Sequence, residues 1–246
     1  MCGRIGLEVP WEELFGYFNL IRPVEMGEEM PPRYNIAPTQ PIVMVGDGAD
    51  GQREGMLVRW GLVPSWVKDP KSFTLLVNAR SETAIEKPSF RSAMRHRRML
   101  IPASGFYEWQ RFGKGQPSQA YWVRPKKGNI VAFGGLMETW SDPNGSEIDT
   151  GCILTTEANK NFSAIHHRLP LVIQPEDFTR WLDCKTQEPR DIIDLLKPVQ
   201  DDFFDIIPVS NAVNKVANNN PSIQERVEPI NPAVKKSPDN DQLSMF

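Results

Sequence analysis

The chain has 246 residues, 40% of them hydrophobic, enough to bury the core of one large domain or two small ones. No apolar run approaches the roughly 20 residues that a membrane helix needs, and the first residues lack a signal-peptide pattern, so a cytoplasmic protein is expected. The cysteines Cys2, Cys152 and Cys184 are odd in number and far apart, which argues against a disulfide framework, and no CxxC pair points to a metal. A net charge of −3 carries no global signature of nucleic acid, so charge has to be read locally.

In chain order, "WEELFGYFNL" has Trp11, Leu14, Phe15 and Phe18 at helical spacing and predicts an early helix. "PIVMVGD", "GMLVRWGLV" and "TLLVNAR" read as short strands. "KPSFRSAMRHRR" predicts a helix that opens on Pro88. On such a helix Arg91, Arg95 and Arg98 share one face, and residues 87–98 contain no acid, so the stripe could track a phosphate backbone or be a solvated face. The strand-like runs "MLIPASGFYEW", "QAYWVRP", "IVAFGGLMETW" and "CILTTEA" follow, the first two joined across the glycine-rich "RFGKGQPS" as a hairpin. "EDFTRWLDC" and "RDIIDLLK" read as helical and "FFDIIPVS" as a late strand. Many strands with irregularly placed helices favour an α+β domain around a mostly antiparallel, barrel-like sheet. From about Ile223 the composition turns to proline, asparagine and charge, so the domain is expected over residues 2–222 and a disordered tail over 223–246.

Cys2 is the first candidate for chemistry. A lone cytosolic cysteine is commonly a small buried hydrophobe, but a residue at position two is expected at a fraying surface. Methionine aminopeptidases remove Met1 before a small residue, which would leave a terminal 1,2-aminothiol. Its amine titrates at about 7.7–8.0 and its thiol at about 8.5. An aldehyde forms an imine with such an amine, and the thiol then closes a thiazolidine. An N-terminal nucleophile hydrolase is the other use of the same groups. Glu108, between aromatics and on the face of Phe106, either meets solvent or is buried as an acid or base. Two of the three histidines, His166 and His167, precede an apolar strand. Asn78 either orients a polar group or ends a strand.

"MCGR", "RYNIAPTQ", "WGLVPSW", "NARSET", "RRMLIPASGFYEW", "ILTTEAN", "IHHRLPLVI" and "PVSNAVN" occur in that order. Together they resemble the SOS response-associated peptidase (SRAP) family over about residues 2–217. The resemblance implies a single α+β domain with a curved, mostly antiparallel, barrel-like sheet and flanking helices, crossed by a DNA groove. It implies a protein that recognises abasic sites in single-stranded DNA and crosslinks to them through Cys2 after loss of Met1. The family's catalytic residues fall on Cys2, Asn78, Glu108 and His166. By that resemblance Glu108 moves protons, His166 assists sugar-ring opening and release of the crosslink, and Asn78 holds Cys2 or the sugar. Arg4, Arg80 and Arg168 fall where phosphates are faced, Trp66 on the base-stacking wedge, and Asn35 and Pro38 in the groove loop, with Thr155 and Ser210 beside them. Met99, Ile5, His167 and Leu169 depart from common family choices without removing a residue the chemistry needs. No cofactor or metal is expected, the chain is expected to be a monomer, and the compartment is that of a bacterial cytoplasm with nucleoid association on DNA.

Two other readings compete. A cysteine-dependent peptidase or amidohydrolase would use Cys2 as nucleophile with the same His, Glu and Asn, and a non-catalytic DNA-binding module would tolerate loss of Cys2. Finally, the tail ends Gln242-Leu243-Ser244-Met245-Phe246, which resembles the pentapeptide by which bacterial proteins bind the sliding DNA clamp. Residues 229–238 would be its proline-rich tether.

Overall fold

A computed structural model describes residues 2–22, 31–48, 51–142 and 144–230. Thirteen strands and four short helices follow one another along it. The first part runs β1 (Ile5–Leu7), α1 (Trp11–Phe18), β2 (Leu20–Arg22), β3 (Arg33–Ile36), β4 (Pro41–Asp47), β5 (Arg53–Trp60), β6 (Asn78–Arg80), α2 (Ser81–Ala84) and α3 (Arg91–His96). The second runs β7 (Arg98–Ala103), β8 (Gly105–Arg111), β9 (Ser118–Pro125), β10 (Val131–Ser141), β11 (Glu147–Glu157), β12 (Arg168–Pro170), α4 (Phe178–Leu182) and β13 (Phe204–Val209).

Five of the apolar runs close a barrel. Strand β7 pairs with β4 at Val45↔Leu100, β4 with β5 in antiparallel register, and β10 with both β7 and β11. A parallel contact of β5 with β11, Arg59 against Thr150 and Trp60 against Gly151, closes the ring. Met44, Val58, Leu100, Ile101, Phe133, Leu136 and Ile153 are buried within one cluster. Two glycines make room there: a Cβ on Gly135 would stand 2.7 Å from Ile101 Cδ1, and one on Gly151 2.5 Å from Met44 Sδ. Any larger residue at either place would push side chains out of a close-packed interior.

A second, antiparallel sheet in the order β13-β9-β8-β1-β3 lies against this barrel. Phe106 of β8 joins the two, its ring meeting Phe133, Phe162 and Phe204 at 5.6–5.9 Å. Its neighbour Tyr107 points the other way, into a smaller cluster with Trp122, Val209 and Ile223. Strand β8 is therefore covered on both faces, and Glu108 is buried in it.

Several local expectations need correction. The helix expected from Pro88 is only Arg91–His96, and Arg98 starts strand β7 instead of sharing a helical face with Arg91 and Arg95. In "TLLVNAR" only Asn78–Arg80 is strand. "RDIIDLLK" is a 3-10 segment, Pro189–Leu195, and "EDFTRWLDC" is a 3-10 turn followed by α4. The fold also runs past the boundary expected at Ile223. Ile223 is buried, Val227 N donates to Pro208 O at 2.9 Å and Ile230 N to Gln119 Oε1 at 2.8 Å. The remainder of the tail, with Gln242, Leu243, Met245 and Phe246, lies outside the described residues, as does Met1.

Candidate active site

Strand β1 runs antiparallel to β8, with Ile5 opposite Phe106 and Tyr107 N donating to Arg4 O at 2.9 Å. Continuing that register sets Gly3 opposite Glu108, so Cys2 lies one residue from that pairing and its thiol feels the Glu108 charge. Strand β6 runs parallel to β11, Asn78 beside Ile153. From there Asn78 Nδ2 donates to the Cys2 carbonyl at 2.8 Å. Among the described residues the buried Asn78 Oδ1 finds no hydrogen-bond partner. A buried acceptor without a donor costs about 1–3 kcal/mol, so this one is ready for an incoming N–H or O–H.

Cys2 is 1% exposed, not frayed at the surface as position two suggested. Burial, with the Glu108 carboxylate adding to it, pushes its thiol well above the ordinary range, so little thiolate forms near neutral pH. Glu108 Oε1 accepts from Trp109 N at 3.1 Å.

His166 follows a turn at 161–165 and is half-buried, whereas His167 is exposed. The two rings stack at 4.3 Å. The backbone N–H of Arg168 lies 2.9 Å from His166 Nδ1. Nδ1 also lies 3.2 Å from Arg168 O; with the neutral ring's proton on Nδ1 the imidazole donates to that carbonyl, and Nε2 is then the accepting nitrogen. Burial lowers the His166 pKa, and the Glu108 charge opposes this by raising it. Glu108 thus acts on both Cys2 and His166. Glu108→Gln is expected to move both titrations down, the imidazole because it loses a favourable anion and the thiol because it loses a repulsive one. NMR titration of His166 checks this; an unchanged or raised midpoint would contradict it.

The residues expected to meet DNA divide into two groups. Trp66 is 58% exposed on a turn, edge-on to Phe73 at 5.8 Å. The turn is pinned by Trp140 Nε1, which donates to Val67 O at 2.6 Å. Arg80 is exposed at the head of α2, and Ser210 is exposed, its Oγ accepting from Ala212 N. Pro38 is half-buried in the turn after β3.

The second group is built into the scaffold. Arg4 NH1 donates to Asn35 Oδ1 at 2.6 Å and to Val213 O at 2.7 Å. Asn35 Nδ2 donates to the carbonyls of Val213, Lys215 and Asn218, so its side chain is spent on holding the 213–218 loop. Thr155 is 0% exposed, and its hydroxyl donates to Ala79 O, which leaves no face for a ligand. Arg168, expected on phosphate, is 7% exposed; NH1 and NH2 donate to the two Glu82 oxygens at 2.7 and 2.8 Å, and NH2 also to Thr155 O at 2.5 Å. Glu82 is the partner that sequence alone did not reveal, although it stands within "NARSET". Much of the basic run is likewise taken up, Arg95 pairing with Glu188 at 2.6 Å, Arg97 with Glu138 at 3.1 Å and Arg98 being buried, while Lys87 and Arg91 stay exposed. The departures Ile5, Met99 and Leu169 are all core residues. Among the described residues no cluster of three metal-ligating side chains occurs, and no helix is long and apolar enough to cross a membrane.

The chain is 37% identical over 225 residues to the abasic site processing protein YoqW of Bacillus subtilis (strain 168), covering 92% of this chain and 99% of that one. It is 33% identical to the abasic site processing protein HMCES of Gallus gallus, over 80% of this chain and 67% of that one. A crystal structure of a Bacteroides thetaiotaomicron protein superposes with a TM-score of 0.81 at 25% identity, covering 92% of this chain and all of that one. Residues 1–216 match the family described as SOS response associated peptidase (SRAP), and with that extent of match the chain belongs to the SRAP family.

Proposed function

We propose that this protein captures abasic sites in single-stranded DNA as a covalent thiazolidine on Cys2, exposed as the terminal residue by loss of Met1. The observation that carries the reading is the buried Cys2, held by Asn78 through its carbonyl, with one carboxylate, Glu108, acting electrostatically on both Cys2 and His166. The names of the relatives point to the same substrate.

The chemistry needs no cofactor and no net oxidation. A neutral His166, its Nδ1–H on Arg168 O, takes the proton of the sugar C1′ hydroxyl at Nε2 as the C1′–O4′ bond breaks and passes it to O4′, giving the aldehyde and a C4′ hydroxyl. The terminal amine is the first nucleophile, and the thiol follows it. The amine adds to the aldehyde and water leaves, giving an imine. Sγ then adds to the imine carbon, its proton passing through Glu108 to the nitrogen, and the five-membered ring closes. Asn78 Oδ1 accepts from the amine or a sugar hydroxyl. The hydrolase alternative requires Cys2 as a thiolate, which burial beside Glu108 opposes.

Trp66 stacks on a base where the strand is open, a contact worth about 1–3 kcal/mol and indifferent to sequence. Arg80 meets a phosphate. Binding that precedes crosslinking is therefore expected to weaken as salt rises and to weaken further in Trp66→Ala and Arg80→Ala, read by anisotropy with a single-stranded oligonucleotide. Affinity independent of salt would contradict the DNA groove. The terminal Gln242-Leu243-Ser244-Met245-Phe246 docks on a bacterial sliding clamp and tethers the domain near replicating DNA. A peptide of residues 237–246 is expected to bind such a clamp and to fail once Leu243 and Phe246 are both alanine; binding that survives the double change would end this part.

A further inference from the structure

We propose that Gln110 is a positioning residue: it ties the turn that carries His166 to the strand that carries Glu108, and so sets their separation for the crosslinking chemistry. This rests on the function proposed above.

Glu108 and Gln110 are two residues apart on β8 and project on the same face. Gln110 Nε2 donates to Ala164 O at 2.9 Å, and Gln110 Oε1 accepts from Tyr121 OH at 3.0 Å. Tyr121 stands on β9 directly opposite Glu108. The phenol holds the amide oxygen, which leaves the amide nitrogen aimed at the Ala164 carbonyl, so both ends of the side chain are fixed. Ala164 lies two residues before His166. The turn's base also rests on β8, where the buried Phe162 ring packs on Phe106 at 5.6 Å, but its other hydrogen bonds run elsewhere. Ile165 N and His166 N donate to Phe162 O, and Phe162 N to Asn159 Oδ1. Asn159 Nδ2 then donates to Val199 O and Gln200 O. These bonds shape the turn and seat its base on the 199–200 segment, whereas Gln110 ties its far end to β8. With the tie cut, Phe162 keeps the base of the turn on β8, but the end that carries Ala164 and His166 loses its hold beside Glu108, and misplacement of a catalytic group by about 1 Å costs on the order of 100-fold in rate.

The test measures crosslinking to an abasic single-stranded oligonucleotide at saturating DNA, with Kd and Tm measured alongside. Gln110→Met keeps the length and apolar stem but neither hydrogen bond. Its rate is expected to fall about 10- to 100-fold, with Kd within about twofold and Tm nearly unchanged, because a half-exposed hydrogen bond is worth only about 1 kcal/mol. Gln110→Lys restores a donor to Ala164 O and is expected to recover most of the rate. A Gln110→Met rate equal to wild type would overturn the inference. So would a variant whose rate, Kd and Tm fall together with no rescue by lysine, since that pattern belongs to a merely structural residue. If wild-type protein itself forms no adduct, the crosslinking reading fails first and takes this inference with it.

Discussion

Cys2→Ala is expected to form no stable adduct with abasic single-stranded DNA, while still folding and still binding the strand. This is the largest functional effect expected of any single substitution. The change removes one sulfur from a nearly fully buried site, a small loss of packing beside a core of this size. Asn78 bonds to the Cys2 backbone carbonyl, so that contact survives. The terminal amine also survives, and it still condenses with the aldehyde. The resulting imine has no thiol to close on, and water returns it to aldehyde and amine. A hydride reductant added during incubation should trap the imine in Cys2→Ala, whereas wild type should give an adduct without reductant. Cys2→Ser sits between, since an oxygen closes the ring less favourably. A denaturing gel with and without reductant checks all three. A Cys2→Ala adduct as fast and stable as wild type would show that the chemistry lies elsewhere.

The largest stability effect is expected at Arg98. Its guanidinium is buried and meets four backbone carbonyls: Nε donates to Trp181 O at 2.7 Å, NH1 to Met94 O at 2.9 Å, and NH2 to Asp183 O at 2.8 Å and Gln187 O at 3.0 Å. Two of these carbonyls end helices, Met94 in α3 and Trp181 in α4, where the helix leaves acceptors unpaired. The ring of Trp181 lies 5.9 Å from the guanidinium carbon, adding a cation–π contact. Arg98→Met keeps the stem but strands the carbonyls, each costing about 1–3 kcal/mol where water cannot reach. A net loss of about 3–5 kcal/mol is expected, or on the order of 10 °C in Tm for a chain of this length. Arg98→Lys should recover little, because one ammonium cannot reach acceptors spread around a planar fork. Thermal unfolding of the two variants checks this; an Arg98→Met Tm within about 2 °C of wild type would contradict it.

Arg98 also shows where sequence reading stops. Helical spacing grouped it with Arg91 and Arg95, but the helix ends at His96 and Arg98 turns inward at the start of a barrel strand. Nothing in "RHRR" marks which arginine is taken by the interior, because three of its four carbonyl partners belong to residues more than eighty positions away. Arg168 fails for the same reason, its partner Glu82 lying on another element. The barrel was legible, because long apolar runs such as "IVAFGGLMETW" have few other ways to be buried. The short strands Ile5–Leu7, Leu20–Arg22 and Arg33–Ile36 were not legible, since three or four residues carry no period and are held by their neighbours' edges. The candidate site residues Cys2, Asn78, Glu108 and His166 were all named from sequence, and Asn78 does bond to Cys2. What sequence did not show is their environment. Glu108 lies between Tyr107 and Trp109, a setting that suits a half-exposed strand as well as a buried one, and the second sheet decides between them. The free-cysteine pKa expected for Cys2 fails because burial is a property of the fold, not of the residue.

One measurement bears most directly on the central claim. Wild-type protein incubated with an abasic single-stranded oligonucleotide is digested to its N-terminal peptide and weighed. The expected mass is that of a peptide beginning at Cys2, without Met1, carrying the sugar remnant less one water on Cys2, with no free thiol there. An unmodified Cys2, a remnant on another residue, or an adduct on a chain that retains Met1 would contradict the thiazolidine account.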